Sequence, residues 1–384
     1  MSDEIIPFHQ PWFTDAERQA VLDVLESGWL ATGARTADFE AAVADYVGVP
    51  TSAGVSSCTA GLFIALKALG IGSGDEVLVP TITFSSTANV VIHCGAKPVL
   101  VDVLPDTLNI DIESAANHLS DRVRAIMPVH VAGHPCDMHT LVHFAETHDL
   151  AIIEDCAHAL EASYRDQPVG TFGFAGSFSF YPNKNVTAGE GGMLVSANEQ
   201  IDERFRLLRN HGLTLDSFER EKTGFRQYDI ALPGYKLNMN DLQAALGLAQ
   251  FGRVDDMHAA RKRLVARYTE AFADMEGVSS VQPLPDTESG HHLFILQVDP
   301  QMLRISKTEL MDRIIARGVR LSLHFKPIHL FSYYHSIGYR RGALPMAESA
   351  FERIFSLPLF PKMTDAQQTR VIEVVREEIE NAKR

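Results

Sequence analysis

The 384-residue chain is 46% hydrophobic and carries 49 acidic against 34 basic residues, a net charge of −15. That length supports one large domain plus a smaller one with buried cores, and an acidic balance without any Lys/Arg-rich block excludes nucleic acid as a partner. The opening MSDEIIPFHQ lacks a cationic segment followed by an apolar stretch and nowhere do 18 apolar residues run unbroken, so no membrane partner is expected and the expected location is the cytoplasm.

In chain order, EVLVP, KPVLVDV, RAIMPVHV, LAIIED, GSFSFY and GGMLVS recur between about residues 55 and 200 as short apolar runs. Helix-period segments lie among them: TAGLFIALKALG, DMHTLVHFAETHD and EQIDERFRLLRNHG. The rhythm is that of βαβ units and predicts an α/β fold with a mostly parallel sheet covered by helices on both faces. From about residue 239 one long helical pattern, NDLQAALGLAQFGRVDDMHAARKRLVARYTEAFADM, has the length to link two domains. A smaller α/β unit follows, with the strand HHLFILQVD, the helix SKTELMDRIIARG and a last amphipathic helix whose N-cap is Thr364. The expected division is a large domain over residues 1–250 and a small C-terminal domain over 251–384.

Cys58, Cys94, Cys136 and Cys156 form no C-x-x-C pair, which points to reduced thiols rather than a disulfide framework or zinc knuckle. H-E-x-x-H is absent, and His291-His292 in a strand would point to opposite faces, so no metal is expected and most of the 16 histidines read as packing or solvent-facing.

Open α/β sheets bind ligands at the carboxyl ends of their strands. Asp155 ends the run LAIIED, where a buried carboxylate needs a cationic partner. VSSCTAG precedes a helix with small and hydroxylic residues whose amides can gather round a phosphate, although Ser and Thr are also ordinary N-caps. Lys184, in SFSFYPNKNVTAGEGG, is a solvated surface lysine, part of a phosphate-binding loop with the GEGG downstream, or the cation of this site. Neither G-x-x-x-x-G-K-[ST] nor an opening G-x-G-x-x-G is present. An amine, a buried acid and a phosphate nest together describe a pyridoxal phosphate site.

The motifs IPFHQPWFTDAERQAVLDVLESGWLATG, EDCAHAL, SFYPNKNVTAGEGG, GYKLNMNDLQAALGLAQ and SLPLFP occur in one order along nearly the whole chain. In them the chain resembles the DegT/DnrJ/EryC1/StrS sugar-nucleotide aminotransferases. The resemblance implies the PLP-dependent aspartate aminotransferase fold (fold type I), a homodimer, and transfer of an amino group from L-glutamate to a keto-sugar nucleotide, with C4 of a UDP-linked sugar as the acceptor. It places the Schiff-base lysine on Lys184 and the pyridinium partner on Asp155. Phosphate contacts fall on Ser57, Cys58, Thr59 and Ser179, and the two faces of the cofactor on Phe84 and His158. A lone Phe would ordinarily be core, and a lone His a satisfied structural residue. Asn238, in GYKLNMND, is implied to reach the phosphate of the neighbouring subunit; this motif is similar to that of the UDP-4-amino-4-deoxy-L-arabinose aminotransferase subgroup, where other members read G-Y-N-Y-R-M. His329, in SLHFKPIH, falls at the substrate mouth. The segment around Trp29 and the stretch from Leu213 to Tyr228 fall where nucleotide and hexose are recognised. Two other readings compete with this one: a catalytically idle PLP-fold binder of nucleotide sugars, against which Lys184 and Asp155 speak, and a transaminase of a non-sugar carbonyl.

Overall fold

The structure is a computed structural model that describes residues 5–223 and 227–384. Residues 1–4 of the opening stretch, and 224–226 within the Leu213–Tyr228 stretch, lie outside the described residues.

Seven strands form the central sheet: β1 (Thr51–Val55), β2 (Glu76–Pro80), β3 (Lys97–Val101), β4 (Val123–Ile126), β5 (Ala151–Asp155), β6 (Ala175–Ser179) and β7 (Gly192–Ser196). Their spatial order is β1-β7-β6-β5-β4-β2-β3. The run from β3 through β6 is parallel, whereas β7 pairs antiparallel with both β6 and β1. Each apolar run expected as a strand is one. β2 is buried at every residue, which is why EVLVP reads as continuously apolar: helices cover both faces of a parallel sheet.

The helix Cys58–Leu69 buries Leu62, Ala65 and Leu66 and lies close over β6. A Cβ on Gly61 would stand 2.2 Å from Ser177 Oγ, so the close approach requires glycine there. The helix Ala34–Val47 starts at Gly33, which has no capping side chain; Asp241 caps it from 200 residues away, accepting from the Gly33 amide at 2.8 Å, the Thr36 amide at 3.0 Å and Thr36 Oγ1 at 2.7 Å.

The long helical pattern after residue 239 is two helices, Asp241–Phe251 and Val254–Phe272. Gly252, a poor helix former, is followed by Arg253 with φ −124° and ψ 18°, outside the helical region, and Arg253 turns its guanidinium to the Trp12 carbonyl. The second helix leads into the smaller unit, where β8 (Val278–Ser280), β9 (Phe294–Val298) and β10 (Ile354–Leu357) form an antiparallel sheet in the order β8-β9-β10. Against it packs the helix Asp365–Ala382, burying Val371, Val374, Val375 and Ile379 at helical spacing, with Thr364 accepting from the Gln367 amide at 3.2 Å as N-cap.

Ile6 lies in the core of this smaller unit together with Leu264, Tyr268 and Phe355. Its amide donates to Gly318 O at 2.8 Å and its carbonyl accepts from Arg320 N at 3.0 Å. A cut at 250/251 therefore separates Ile6 from the cluster it completes. No helix among the described residues is long and apolar enough to cross a membrane.

Candidate active site

The carboxyl ends of β1, β5 and β6 face one region. β1 runs into Ser57, the N-cap of the helix Cys58–Leu69, whose Oγ accepts from the Ala60 amide at 3.1 Å. The amides of Cys58 and Thr59 stay free of intramolecular bonds among the described residues, at the positive end of a helix with no acid in its first turn. Thr59 is exposed and Ser57 half-buried. Gly192 backs this turn: a Cβ there would meet Ser57 C and Cys58 N at 2.5 Å each. Cys58 points inward, its thiol donating to Ser177 O at 3.2 Å and lying 3.8 Å from Asp155 Oδ1. Burial, then the Asp155 charge, pushes that thiol well up.

Asp155, 4% exposed, ends β5. Thr87 Oγ1 donates to its Oδ2 at 2.8 Å and the Ala157 amide to its Oδ1 at 3.1 Å. Burial raises its pKa, while Thr87, the Ala157 amide and the Lys184 charge pull the other way.

Lys184 is half-buried in the loop after β6, its amide donating to Tyr181 O at 2.9 Å. Burial brings its amine down to about 8, against the attraction of Cys58 and Asp155. A solvated surface lysine would not have its amine lowered by burial. Ser179 is the last residue of β6, half-buried.

His158 is buried, and its ring stacks on Phe325 with centroids 5.7 Å apart and planes at 17°. Burial, then the Lys184 charge, holds it neutral. Among the described residues its Nδ1 is buried without a partner, as are His9 Nε2 and Asn183 Oδ1. Phe84 is 62% exposed, so it is not core. Trp29 is half-buried; its Nε1 donates to Thr32 O at 3.2 Å and its ring meets Phe218 at 5.5 Å. The two segments expected to recognise substrate thus touch each other. Asn238 pairs with Val55 of its own chain beside the Ser57 turn, and its Nδ2 donates to Thr32 Oγ1 at 2.5 Å.

His329 corrects the expectation of a residue at the substrate mouth. It is fully buried, and both ring nitrogens are engaged, Nδ1 with Thr81 Oγ1 at 2.8 Å and Nε2 with Glu348 Oε1 at 3.0 Å. No nitrogen is left for a substrate. Its motif partners His324 and Phe325, five and four residues earlier, are the ones near the site: Phe325 stacks on His158, and the Lys184 charge helps hold His324 down at about 4 after burial. Other residues that sequence reasoning missed are Thr87, His292 at 4.4 Å ring to ring from His158, and His9, which burial and then Arg261 push down to about 3. His9 and His292 lie in quoted motifs, whereas Thr87 carries no sequence signal.

A group with a phosphate at one end, a ring nitrogen at the other and an electrophilic carbon between fits these residues. Free first-turn amides could take the phosphate, the buried carboxylate the nitrogen and the amine the carbon.

The model of the DegT/DnrJ/EryC1/StrS aminotransferase family matches residues 12–376. The spore coat polysaccharide biosynthesis protein SpsC of Bacillus subtilis is 40% identical over 383 residues, 99% of this chain and 98% of its own. A proposed sugar aminotransferase of Streptococcus pneumoniae, solved in its PLP form, superposes with a TM-score of 0.92 at 32% identity, covering 98% of this chain and 99% of that one. DesV of S. venezuelae, solved in complex with a ketimine intermediate, has a TM-score of 0.87 at 34% identity over 95% and 94% of the two chains.

Proposed function

Because the chain belongs to the DegT/DnrJ/EryC1/StrS aminotransferase family, we propose that it moves an amino group from L-glutamate to a keto-sugar nucleotide, at C4 of a UDP-linked sugar. It is a PLP-dependent aminotransferase of fold type I. The observation that carries the reading is the meeting of the Lys184 amine, lowered to about 8, with buried Asp155 beside a helix N-terminus. Work on sugars is supported by the polysaccharide role of SpsC and by the sugar aminotransferase of S. pneumoniae.

When bound, pyridoxal phosphate supplies an electrophilic carbon and a ring that takes up an electron pair. In our reading Asp155, oriented by Thr87 and the Ala157 amide, holds a proton on the ring nitrogen. Lys184 Nζ, its amine lowered to about 8 and so uncharged in substantial part near that pH, would hold the cofactor's electrophilic carbon and, once released by substrate, would move the proton at the substrate's α-carbon. Ser57, the Cys58 and Thr59 amides and Ser179 would hold the phosphate, Asn238 of the neighbouring subunit would add to it, and Phe84 and His158 would flank the ring. Trp29, with Phe218, stands toward the nucleotide sugar.

The test is a pair of titrations followed by visible absorption. L-glutamate alone should convert the yellow aldehyde form to the amine form, and a UDP-4-keto sugar should restore the yellow. An idle binder shows neither step. Recovery with a small ketone but with no keto-sugar nucleotide would overturn the substrate class.

A further inference from the structure

Away from Lys184, the helix Val254–Phe272 and the segment Thr287–His292 bring His258, Glu288 and His291 together. Each offers one ligand atom, and these atoms lie within 4.8 Å of one another. We propose that the three residues bind a divalent transition ion of the zinc class, two imidazoles and one carboxylate leaving a fourth position to water. The proposal is independent of the aminotransferase reading.

The backbone holds the cluster in place. Glu288 belongs to a short strand paired with Ser163–Tyr164, and Gly290 N donates to Gly133 O at 2.9 Å. His291 follows with φ +45°, its amide donating to Ser289 Oγ at 3.0 Å. Its Nδ1 is buried with no hydrogen-bond partner among the described residues. The His258 and His291 rings are nearly parallel, at 27°, with centroids 5.9 Å apart. Two imidazoles on one tetrahedral ion, with Zn–N of about 2 Å, place their centroids roughly 5 Å apart. Ligand atoms on such an ion are separated by about 3.3 Å, so the largest separation closes by about 1.5 Å, within reach of three half-buried side chains.

Two groups now occupy the ligands, and both can yield. Lys262 Nζ lies 2.7 Å from Glu288 Oε1, but as a pair open to solvent it contributes little and the lysine can swing into water. His258 Nε2 bonds Ser289 O at 2.7 Å and stands 3.7 Å from Glu288 Oε1, so it exchanges one hydrogen bond for the ion. By contrast the other candidate cluster, His130, Glu154 and Cys156, is closed. It is fully buried, Glu154 accepts from the Gly170 and Phe172 amides at 2.7 and 2.8 Å, and His130 Nδ1 accepts from the Cys136 amide at 3.1 Å. The ligands of the open cluster come from three positions spread over more than 30 residues, and no motif spacing announces them. The same segment reaches the lysine loop, because Asn185 Nδ2 donates to Gly290 O at 2.6 Å and Asn185 Oδ1 meets His292 Nδ1 at 3.1 Å.

Holoenzyme freed of unbound pyridoxal phosphate, titrated with CoCl2 at pH 7.5, should show the intense visible bands of four-coordinate Co(II), saturating at one ion per chain and abolished by ZnCl2. His258→Gln and His291→Gln should each weaken binding at least about tenfold. Lys262→Met, which removes the competitor while keeping the packing, should tighten it about two- to fivefold. Only the weak bands of six-coordinate Co(II), or affinities unchanged in both histidine variants, would overturn the site. If a histidine variant misfolds, Lys262→Met decides: binding no tighter than in the parent enzyme counts against it.

Discussion

Lys184 carries a consequence that can be read without substrate. In the folded chain burial brings its amine from an ordinary 10.5 to about 8. Between those values the unfolded chain holds a proton that the folded one has released, so unfolding takes up a proton and stability rises with pH across that window. Buried thiols, held above their ordinary 9, act in the opposite sense at the upper end. The informative quantity is therefore a difference. Apo enzyme and Lys184→Met, melted in parallel from pH 7 to about 10.5, should differ most at neutral pH, with the methionine variant more stable, and converge as the amine discharges. Curves that stay parallel would show that the amine is not desolvated. His329 is the opposite case, a histidine with no free nitrogen. His329→Ala leaves a cavity and an unpaired Thr81 hydroxyl, so chemical denaturation should show a loss of about 2–3 kcal/mol. The KM for the sugar nucleotide should stay unchanged, and a large KM rise at preserved stability would restore it to the substrate mouth.

At the scale of elements, strand runs were legible because parallel strands buried on both faces leave an unmistakable apolar string, as VLV in β2 does. Asp155 and Lys184 could be read for a related reason: a charge set at the end of such a string has no bland use. What could not be read depends on contacts between distant segments. Nothing local shows that Asp241 caps the helix beginning at Ala34, or that Thr87 holds Asp155. The break at Gly252 was hidden by an apolar periodicity that runs through it. In SLHFKPIH the motif was legible but the wrong histidine drew attention, since burial at His329 arises from Thr81 and Glu348, both remote in sequence. Close packing of elements also yields a prediction. The Gly192 Cα lies so near the Ser57–Cys58 peptide that a methyl group would meet backbone at 2.5 Å. Gly192→Ala should displace the phosphate-facing turn and weaken pyridoxal phosphate binding at least about tenfold while the chain still folds. Equilibrium dialysis of the cofactor checks this, and an affinity equal to wild type would mean that the turn does not hold the phosphate.

For the whole molecule, the question is whether one chain completes a site. We propose that two do. Lys184→Ala disables a site from within, and Asn238→Asp sets a carboxylate against the phosphate held by the partner. Each variant dimer should be nearly inactive. After random subunit exchange, half the dimers are mixed and carry one intact site, so roughly a quarter of wild-type activity should return. No recovery, with exchange verified by native mass spectrometry, would assign Asn238 to the cofactor of its own chain.

The seat of Ile6 also bears on how the chain is made. Its hydrogen-bonding partners are Gly318 and Arg320, more than 300 residues downstream. At a ribosomal rate of about 5–20 residues per second those partners emerge on the order of 15–60 s later. Over that interval the Ile6 side chain has no seat, while the strands of the central sheet are already out and able to pair. The Ile6 segment is thus a closing latch, set only after residues 318–320 have been translated, and bulk fused close to Ile6 should delay that step more than it disturbs the sheet.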